Sequence, residues 1–483
     1  MESRAVSVKK NTIYSIIKSC AAVLFPLITF PYISRVLHTN NVGKINFSNS
    51  IISYFSLIAS LGVTTYAIRE CAKVRSDKQK LGEVASQIIS INMCTTVISY
   101  VLLGALLIFS SKIRGYQNLI MILSTNILFT TLGADWLNTA MEDFRYITLR
   151  TVAFQILAIV LMFLFVRQSE DYVKYSIITV ISTSGGNLVN IWYRRRYCKT
   201  RFTINMRVNK HMPPILKLFA MLLSQQIFCN SDTTMLGFMH GNHEVGLYAT
   251  AVKIYNVVNS LMASITWVVM PKLSCAFAEE DFDSANKILE YSLNFIVTLG
   301  MPCVIAMNLM ASDIIVIIGG QEYLGATKAL QILAITLGIS LIWGFFMNII
   351  LLPAGKDGVC MRACAAGALF NVVANAFLIP HFSLNGAAVA TACSQFVGLF
   401  LCIPYVDKRV HLRSLHRILI PPVLGSIAVS MVLILINLRV EVFIMRVCLN
   451  VILSIVIYLI IQIVMKNPLI ESIMERIVVR LKK

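Results

Sequence analysis

Residues 12–34 read TIYSIIKSCAAVLFPLITFPYIS, a run of 23 residues with one charged side chain, Lys18. A helix needs about 20 predominantly apolar residues to cross the hydrocarbon core of a bilayer. Thirteen more runs of this kind follow along the 483-residue chain, and the loops between them are short. The sequence therefore predicts an all-α polytopic membrane protein with about fourteen transmembrane helices. The predicted spans are 12–34, 46–68, 86–109, 117–138, 149–166, 175–193, 218–239, 247–270, 291–311, 329–352, 363–380, 384–406, 418–437 and 447–465.

The composition also indicates a membrane protein. Hydrophobic residues make up 57% of the chain and charged residues 13%, against roughly 45 to 50% and about 25% in soluble domains. This excludes a soluble enzyme and a disordered protein. The first apolar run is longer than the hydrophobic core of a signal peptide and has no small-residue cleavage site, so we expect it to remain as the first span.

The positive charge is distributed unevenly across the predicted membrane. The chain has 42 Lys and Arg against 23 Asp and Glu, a net charge of +19. With the amino terminus placed in the cytoplasm, 31 of the basic residues fall on the cytoplasmic side and nine on the other. This asymmetry predicts that both termini lie in the cytoplasm. We therefore expect membrane lipids, through their anionic headgroups, as partners and no nucleic acid.

The sequence offers no pattern for a metal or a cofactor. The twelve cysteines are scattered singly, and only Cys360 and Cys364 lie one helical turn apart. This spacing is typical of small hydrophobic residues in a helix bundle. His240 and His243 share one loop, where a solvated loop is the simpler interpretation and a pH-sensing or metal-binding role is the alternative.

The sequence also argues against an enzyme. A phosphate-binding loop of the GxxxxGK[ST] type is absent, so ATP hydrolysis is not expected. The longest outward loop, about 311–328, holds Asp313 and Glu322 but no nucleophile or metal-ligand pattern. Energy, if the protein uses any, would then come from an ion gradient or from the gradient of the substrate itself.

A short motif repeats along the chain. Val42-Gly43 matches Val245-Gly246 at an offset of 203 residues, and Asn385-Gly386 opens a weaker third copy. Transporters use such repeats to build two pseudo-symmetric lobes around a central site. We therefore divide the chain into an N-lobe with spans 1–6 and a basic linker, a C-lobe with spans 7–12, and a final part with spans 13–14 and a basic tail. The boundaries are 1–205, 206–410 and 411–483.

Charges inside the predicted spans mark candidate functional residues. An ionised side chain at the bilayer centre costs at least roughly 2.5 to 3.5 kcal/mol, so it usually faces a partner, a cavity or a substrate. Asp232 and Lys253 flank one outward turn and are expected at similar depth. They form either a structural ion pair or a switchable pair that faces a central cavity. Asp135 lies near the inner end of span four, where topology does not require an acid.

Other cations have a simpler explanation. Lys18 is close enough to the inner surface to reach the headgroups with its amine. Arg35, Arg69, Arg145 and Arg150 lie at span ends, where the positive-inside bias alone predicts basic residues. Cations around a cavity without catalytic groups nevertheless favour a large anionic cargo, because Lys and Arg compensate phosphate charge in a low dielectric.

Several stretches carry a resemblance to a known family. They include FPLITFPYISRVL (25–37), NVGKINFSNSIISYFSLIASLG (41–62), ADWLNTAMEDFRYITLR (134–150), EVGLYATAVKIYNVV (244–258) and MPKLS (270–274). This string closely resembles the Wzx-type oligosaccharide repeat-unit flippases of bacterial surface polysaccharide synthesis. They share a superfamily with multidrug and toxin extruders and lipid II flippases. His38 stands where the family pattern has glycine, and the segment 138–141 lacks an expected glycine.

The resemblance implies a fourteen-helix, two-lobed, V-shaped fold like that of the multidrug extruders. It implies alternating access that moves an undecaprenyl-diphosphate-linked oligosaccharide to the outer leaflet for O-antigen, capsule or exopolysaccharide. Lys18 and Lys253 would contact the diphosphate, with Arg35 and Arg69 as further cavity cations. Asp232 would modulate Lys253, and Asp135 would be a proton site or counter-ion for H⁺ or Na⁺ coupling. A polysaccharide polymerase and a chain-length regulator would be protein partners.

Two other functions stay open on the sequence. An ion-coupled multidrug extruder typically has twelve spans and acidic cavity residues, which fourteen spans and in-membrane lysines argue against. A membrane glycan polymerase or glycosyltransferase needs a sizeable outward loop, and the sequence does not contain one.

Overall fold

The computed structural model describes residues 2–412 and 414–481, and within them the chain folds into helices joined by turns. It forms two compact units, Met1–Gly246 and Leu247–Lys483. The three-part division predicted from the repeats stays a prediction. The first unit contains α1 (Glu2–Ser60), α2 (Val63–Lys73), α3 (Lys78–Phe109), α4 (Ser111–Arg114), α5 (Gln117–Gly133), α6 (Trp136–Ala140), α7 (Phe144–Phe165), α8 (Tyr172–Val180), α9 (Gly186–Tyr193) and α10 (Val208–Met239).

Helix α11 (Asn242–Ala278) begins at the end of the first unit and continues into the second. Short 3₁₀ turns cover Ser169–Asp171, Arg194–Arg196, Gln321–Ala326 and Ile403–Tyr405, and π-helical turns cover Ile181–Gly185 and Phe345–Leu351. The second unit continues with α12 (Phe282–Leu309), α13 (Ala311–Ile318), α14 (Thr327–Gly344), α15 (Asp357–Cys402), α16 (Leu415–Arg439), α17 (Phe443–Val464) and α18 (Pro468–Leu481).

The helices agree with the predicted membrane spans. In the described part of the chain, eleven helical segments are long and apolar enough to cross a bilayer. Two of them, Ile13–Lys73 and Asp357–Tyr405, are interrupted at His38 and Ser383 and so hold two predicted spans each. Helices α8 and α9, joined by a π-helical turn, supply one more. The all-α, fourteen-span prediction is confirmed.

Two ends of the first unit can be distinguished by their residues. We call the end formed by residues 69–85, 139–150 and 194–217 the basic end, because these loops carry most of its cations. The opposite end contains the turns near residues 38, 115, 168 and 240. At this end the Asn41 side-chain amide donates to the carbonyl of Ser169 at 2.8 Å, and the Lys44 amine lies 5.0 Å from the centre of the Tyr172 ring.

Small polar side chains connect helices inside the first unit. Helix α1 ends at Ser60, where the chain breaks at Leu61 (φ 43°) and Gly62 (φ 76°). The carbonyl of Ala59, which the helix end leaves without an intrahelical donor, accepts from Asn92 at 2.7 Å and from Thr95 at 2.5 Å, both on α3. Such bonds stabilise helix pairs where no water can replace them.

The repeated motif packs against its own copy. A Cβ added to Gly43 would overlap the carbonyl oxygen of Asn242, and one added to Gly246 would overlap the carbonyl oxygen of Thr39. Thr39 and Asn242 are themselves separated by the repeat offset of 203 residues. The two contacts are therefore the same contact made twice, in opposite directions. We call these four residues the repeat-start contact.

Neighbouring side chains hold the turn between α10 and α11 in place. The Tyr116 hydroxyl donates to the side chain of Asn242 at 2.7 Å, and the Lys112 amine donates to the carbonyl of Phe238 at the end of α10. The Phe47 ring lies 4.9 Å from Tyr116 and 5.3 Å from Phe238, both edge to face. The turn that opens the second repeat is thus fixed to helices of the first.

The last spans are fastened to the rest of the second unit by buried polar contacts. Asp313, 4% exposed, binds Arg446 through two hydrogen bonds of 2.6 and 3.2 Å. The Tyr458 hydroxyl donates to the carbonyl of Thr298 at 2.6 Å, and the amide of Gln462 donates to the carbonyl of Pro421 at 2.8 Å. Asp313 is therefore a structural anchor for α17.

Replacing Gly43 or Gly246 with alanine will destabilise the protein. Each new methyl group overlaps a backbone carbonyl, and overpacking of this kind costs about 1 to 3 kcal/mol. Because the two contacts are equivalent, we expect similar decreases in unfolding temperature for the two variants in detergent.

Gly104→Ala is the matched control, since a Cβ added there would have open space around it to a distance of 4 Å. If Gly43→Ala and Gly246→Ala unfold at the same temperature as Gly104→Ala, the repeat-start contact is not close-packed.

Replacing His38 with glycine will stabilise the protein. His38 has φ 61° and ψ 167°, a region that is essentially restricted to glycine, and such strain costs on the order of 1 to 3 kcal/mol. The unfolding temperature of His38→Gly should therefore rise. His240→Gly, at a residue with φ −120°, should not raise it; an equal rise in both would mean that backbone strain is not the cause.

Candidate functional site

Lys18 and Arg35 lie on the same helix but far apart. They are separated by 17 residues of α1, which corresponds to roughly 25 Å along a helix. Lys18 is half-buried and lies one turn from Tyr14, whose carbonyl accepts from Thr148 on α7 at 2.9 Å. Arg35 is exposed at the opposite end and donates to the carbonyl of Pro31 at 2.5 Å. The two cations cannot bind one phosphate group together.

Arg69 is a surface residue of the basic end. Its side chain is 59% exposed and lies 3.5 Å from the carboxylate of Glu70. The guanidinium also lies over the ring of Tyr66, 5.8 Å from its centre. Tyr66 is held by a buried hydrogen bond of 2.7 Å between its hydroxyl and Nδ1 of His211. Arg69 is thus accessible to solvent on a well-fixed helix.

Asp135 forms an ion pair with Arg150. The chain leaves α5 at Ala134 with φ 48°, which places Asp135 at the start of α6. Its Oδ1 accepts from the Arg150 guanidinium at 2.7 Å and from the Asn138 amide at 2.8 Å. The Arg150 side chain is 8% exposed and that of Asp135 is 31% exposed. The carboxylate is therefore accessible, while its partner is buried.

Further hydrogen bonds link the Asp135–Arg150 ion pair to the end of α5. Asn138 also donates to Asn190 at 2.8 Å, and Asn190 donates to the carbonyl of Gly133 at 2.7 Å. Among the described residues, Nη1 of Arg150, Oδ1 of Asn138 and the hydroxyl of Tyr146 are buried without a hydrogen-bond partner. A buried polar atom without a partner costs about 1 to 3 kcal/mol.

A stack of rings connects Arg150 to the surface of the basic end. The Tyr146 ring, 5.3 Å from the Arg150 guanidinium, stacks on Tyr193 with ring centres 3.4 Å apart. Arg196 covers the other side of the stack, 4.8 Å from the centre of the Tyr193 ring. The sequence of contacts is guanidinium, ring, ring, guanidinium, and both rings favour an adjacent cation.

Asp143 fixes this stack. It accepts from the hydroxyls of Tyr193 at 2.7 Å and Tyr197 at 2.6 Å. Burial raises the pKa of the Asp143 carboxyl, but the hydrogen bonds from Tyr197 and Tyr193 outweigh it and hold the pKa below its usual value. Burial and the neighbouring Asp143 carboxylate raise the pKa of the Tyr197 hydroxyl well above its ordinary value. The acid therefore stays ionised and the phenols stay protonated.

Asp232 and Lys253 occupy the two helices predicted for them. Asp232 lies on α10 and is 5% exposed, and Lys253 lies on α11 and is half-buried. Helix α10 ends at Met239 and α11 starts at Asn242, so the predicted tight turn between them is present. The two residues belong to different units, and their mutual pairing stays a prediction.

The sequence analysis missed a second group of buried polar residues, in the second unit. Asn371 donates to Ser394 at 3.3 Å, Asn375 donates to Asn371 at 3.1 Å, and Gln395 donates to the hydroxyl of Tyr255 at 3.0 Å. The spacing of Asn371 and Asn375 by one helical turn in an apolar span was a usable signal. Asn190 gave no such signal, because its partners are 52 and 57 residues away.

The structure brings together Asp135 and Arg150, and it separates Lys18 and Arg69 from Arg35. Within residues 2–412 and 414–481, as far as their side chains are described, no group of three or more His, Cys, Asp or Glu residues is placed to hold a metal ion.

One curated relative is the "Putative O-antigen transporter" of Escherichia coli K12, which is 21% identical over 416 residues. The match covers 84% of this chain and 98% of the relative. The alignment is thus nearly end to end for the relative.

Solved structures share the fold. The structure described as "Lipid II flippase MurJ, inward closed conformation" has a TM-score of 0.76 at 15% identity and covers 95% of this chain and 100% of its own. A multidrug resistance MATE family transporter in an inward-facing conformation has a TM-score of 0.58 at 14% identity, over 79% of this chain and 93% of its own. The MATE-like fold predicted from the sequence is therefore confirmed.

The family is shown by a match to its sequence profile. The profile described as polysaccharide biosynthesis protein matches residues 8–277, more than half of the chain. This range includes the motif string 25–274 and the repeat-start contact. The chain belongs to the polysaccharide biosynthesis protein family.

Proposed function

We propose that the protein is a flippase that moves undecaprenyl-diphosphate-linked oligosaccharide repeat units across the bacterial cytoplasmic membrane by alternating access. The product would serve a surface polysaccharide such as O-antigen, capsule or exopolysaccharide. One observation carries the proposal. Every cation assigned to the cargo, Lys18, Arg35, Arg69 and Lys253, lies within residues 8–277, the part of the chain that matches the polysaccharide biosynthesis family.

The names of the similar proteins support transport over synthesis. The Escherichia coli relative is called a transporter and the structure with the same fold a flippase. Neither name describes an enzyme that polymerises glycans. The in-membrane lysines also suit an anionic cargo better than the cationic drugs of a multidrug extruder.

The spacing of the cations on α1 suggests successive contacts with the diphosphate. Lys18 is near the basic end and Arg35 roughly 25 Å away along the helix. A diphosphate is much shorter than this distance. We therefore assign Lys18 and the exposed Arg69 to loading from the cytoplasm, and Arg35 to release at the other leaflet. Lys253, on α11, would hold the diphosphate between these stages.

Asp135 and Asp232 are the proposed coupling residues. The Asp135 carboxylate is partly exposed, so a proton or Na⁺ can reach it. Protonation would neutralise the acid that holds Arg150, and Arg150 is joined through Tyr146 to the ring stack at the basic end. An ion bound at Asp135 would thus change contacts that reach the cytoplasmic surface.

Alanine at Lys18 or Lys253 will reduce transport. A hydrogen bond to a charged group contributes about 1.5 to 3 kcal/mol, so we expect the rate of cargo transfer to fall by at least about tenfold. The measurement is flippase-dependent surface polysaccharide in cells with matched protein levels. Lys18→Arg should retain most activity, because it keeps the charge.

Lys174→Ala is the control, since it removes an exposed lysine side chain that pairs with Asp171 at the opposite end. Wild-type polysaccharide in both Lys18→Ala and Lys253→Ala cells would exclude the diphosphate role of these lysines.

Asparagine at Asp135 will uncouple transport from its ion gradient. Asn retains a hydrogen-bond acceptor for Arg150 but cannot take up a proton. In proteoliposomes with a labelled lipid-linked oligosaccharide, a proton or Na⁺ gradient should accelerate transfer by the wild type and not by Asp135→Asn.

The control is Asp77→Asn, which removes a carboxylate from the helix cap at the start of α3 and replaces it with an equally good cap. It should respond to the gradient as the wild type does. An undiminished gradient response in Asp135→Asn would make the Asp135–Arg150 pair purely structural.

A further inference from the structure

The linker after α9 runs along helix α3 without regular secondary structure. A Cβ on Gly82 would lie 3.0 Å from the carbonyl oxygen of Lys199. The backbone N–H of Arg201 donates to Ser86 Oγ at 3.0 Å, and that of Thr203 donates to Ser90 Oγ at 2.9 Å. We call residues 198–207 the linker strand.

The distance between alternate residues of the linker strand matches the distance between every fourth residue of α3. Two residues of an extended chain span roughly 6.6 Å, and four residues of a helix span about 6 Å. Alternate residues of the linker strand therefore meet every fourth residue of α3, at Gly82, Ser86 and Ser90.

Two large apolar side chains of the linker strand are exposed. Phe202 is 59% exposed and Ile204 is 90% exposed. The strand turns back just after them, where the N–H of Met206 donates to the carbonyl of Ile204 at 2.9 Å and Arg207 has φ 43°. Ile204 is therefore at the tip of a bend, with no described residue covering most of its surface.

The depth of α3 places this tip at the membrane surface. Helix α3 has 32 residues, or roughly 48 Å, whereas the hydrocarbon core is about 30 Å thick and takes about 20 residues. The 20 residues that end at Phe109 begin at Ser90. On this count the linker strand would lie in the headgroup layer and reach the hydrocarbon boundary at Ser90, which binds Thr203, the residue before Ile204.

The charges of this region match an anionic surface. Residues 194–217 contain eight Lys and Arg and no Asp or Glu. Arg201 and Arg207 flank the apolar pair, and both are exposed. Arg207 forms a half-exposed ion pair of 3.2 Å with Glu83, which leaves part of its guanidinium accessible. Apolar side chains between cations are the pattern of a segment that lies in the membrane interface.

We propose that the linker strand is a membrane anchor that binds anionic phospholipid of the inner leaflet. Phe202 and Ile204 insert at the boundary of the acyl chains, and Arg201 and Arg207 bind the lipid phosphates. The ligand is the bulk phospholipid rather than the transported cargo, so the inference does not depend on the proposed function. The docking on Ser86 and Ser90 makes the anchor part of the first unit.

Photo-crosslinking in the full-length protein tests this anchor. A benzophenone amino acid at position 204, in vesicles of equimolar phosphatidylglycerol and phosphatidylcholine without glycan lipid, should give lipid adducts detected by mass spectrometry. The same group at Asn205, the exposed neighbour on the other register of the strand, is the matched control and should give at least about fivefold less. Equal adducts at both positions, no lipid adduct at 204, or a protein adduct at 204 would each overturn the proposal.

Charge removal tests the choice of anionic lipid. Each of Arg201→Gln and Arg207→Gln should lower the ratio of phosphatidylglycerol to phosphatidylcholine adducts at position 204 by about fivefold, the effect of about 1 kcal/mol per cation near an anionic membrane. Arg439→Gln, a cation of the second unit, should leave the ratio unchanged. An unchanged ratio in both linker variants would overturn the assignment to anionic headgroups.

Discussion

The repeat-start contact is the constraint on which the arrangement of the first unit depends. Glycine at 43 and 246 allows α1, just after its break at His38, to approach the start of α11 closely. A backbone carbonyl of each helix then lies against the glycine of the other. Close backbone approach of this kind is the main attractive geometry available to helices in lipid, where apolar side chains gain little from meeting one another. The contact positions the start of α11 on α1.

The positions of two of the proposed cargo-binding cations depend on helix α1. Helix α1 is continuous from the basic end to His38. It therefore holds Lys18 and Arg35 at a fixed separation. A helix of this length makes the cations successive points rather than one binding pocket. In the proposed function, the cargo would meet these cations one after the other, and its phosphates would compensate the charge of each in turn.

The sequence predicted the spans well and the site only in part. Span positions follow from local hydrophobicity, and Lys18, Asp135 and Asp232 stand out because a charge in an apolar run is visible within one helix. The positive φ at His38 and Glu142 also left a sequence signal, since both lie at or beside positions where the family pattern has glycine. The repeat Val42-Gly43 and Val245-Gly246 indicated two related segments, but not that they touch.

The rest of the site depends on contacts between distant parts of the chain. Asn190 is linked to Asn138 across 52 residues, and Tyr193 to Asp143 across 50. No local pattern of hydrophobicity or charge encodes such pairs. The linker strand is an intermediate case. Its alternation of polar and apolar residues from 201 to 207 is visible in the sequence, but only the structure shows that it docks on α3 and leaves Phe202 and Ile204 exposed.

Several of the buried polar atoms without a hydrogen-bond partner in the described part of the first unit lie around Asp135. Nη1 of Arg150, Oδ1 of Asn138 and the Tyr146 hydroxyl are buried without hydrogen bonds in the described structure, at about 1 to 3 kcal/mol for each. These atoms lie near the partly exposed carboxylate of Asp135. Neutralising that carboxylate removes the main stabilising contact of Arg150 while the unsatisfied atoms remain. In the proposed ion-coupled cycle, an ion bound at Asp135 would therefore weaken the contact that stabilises Arg150.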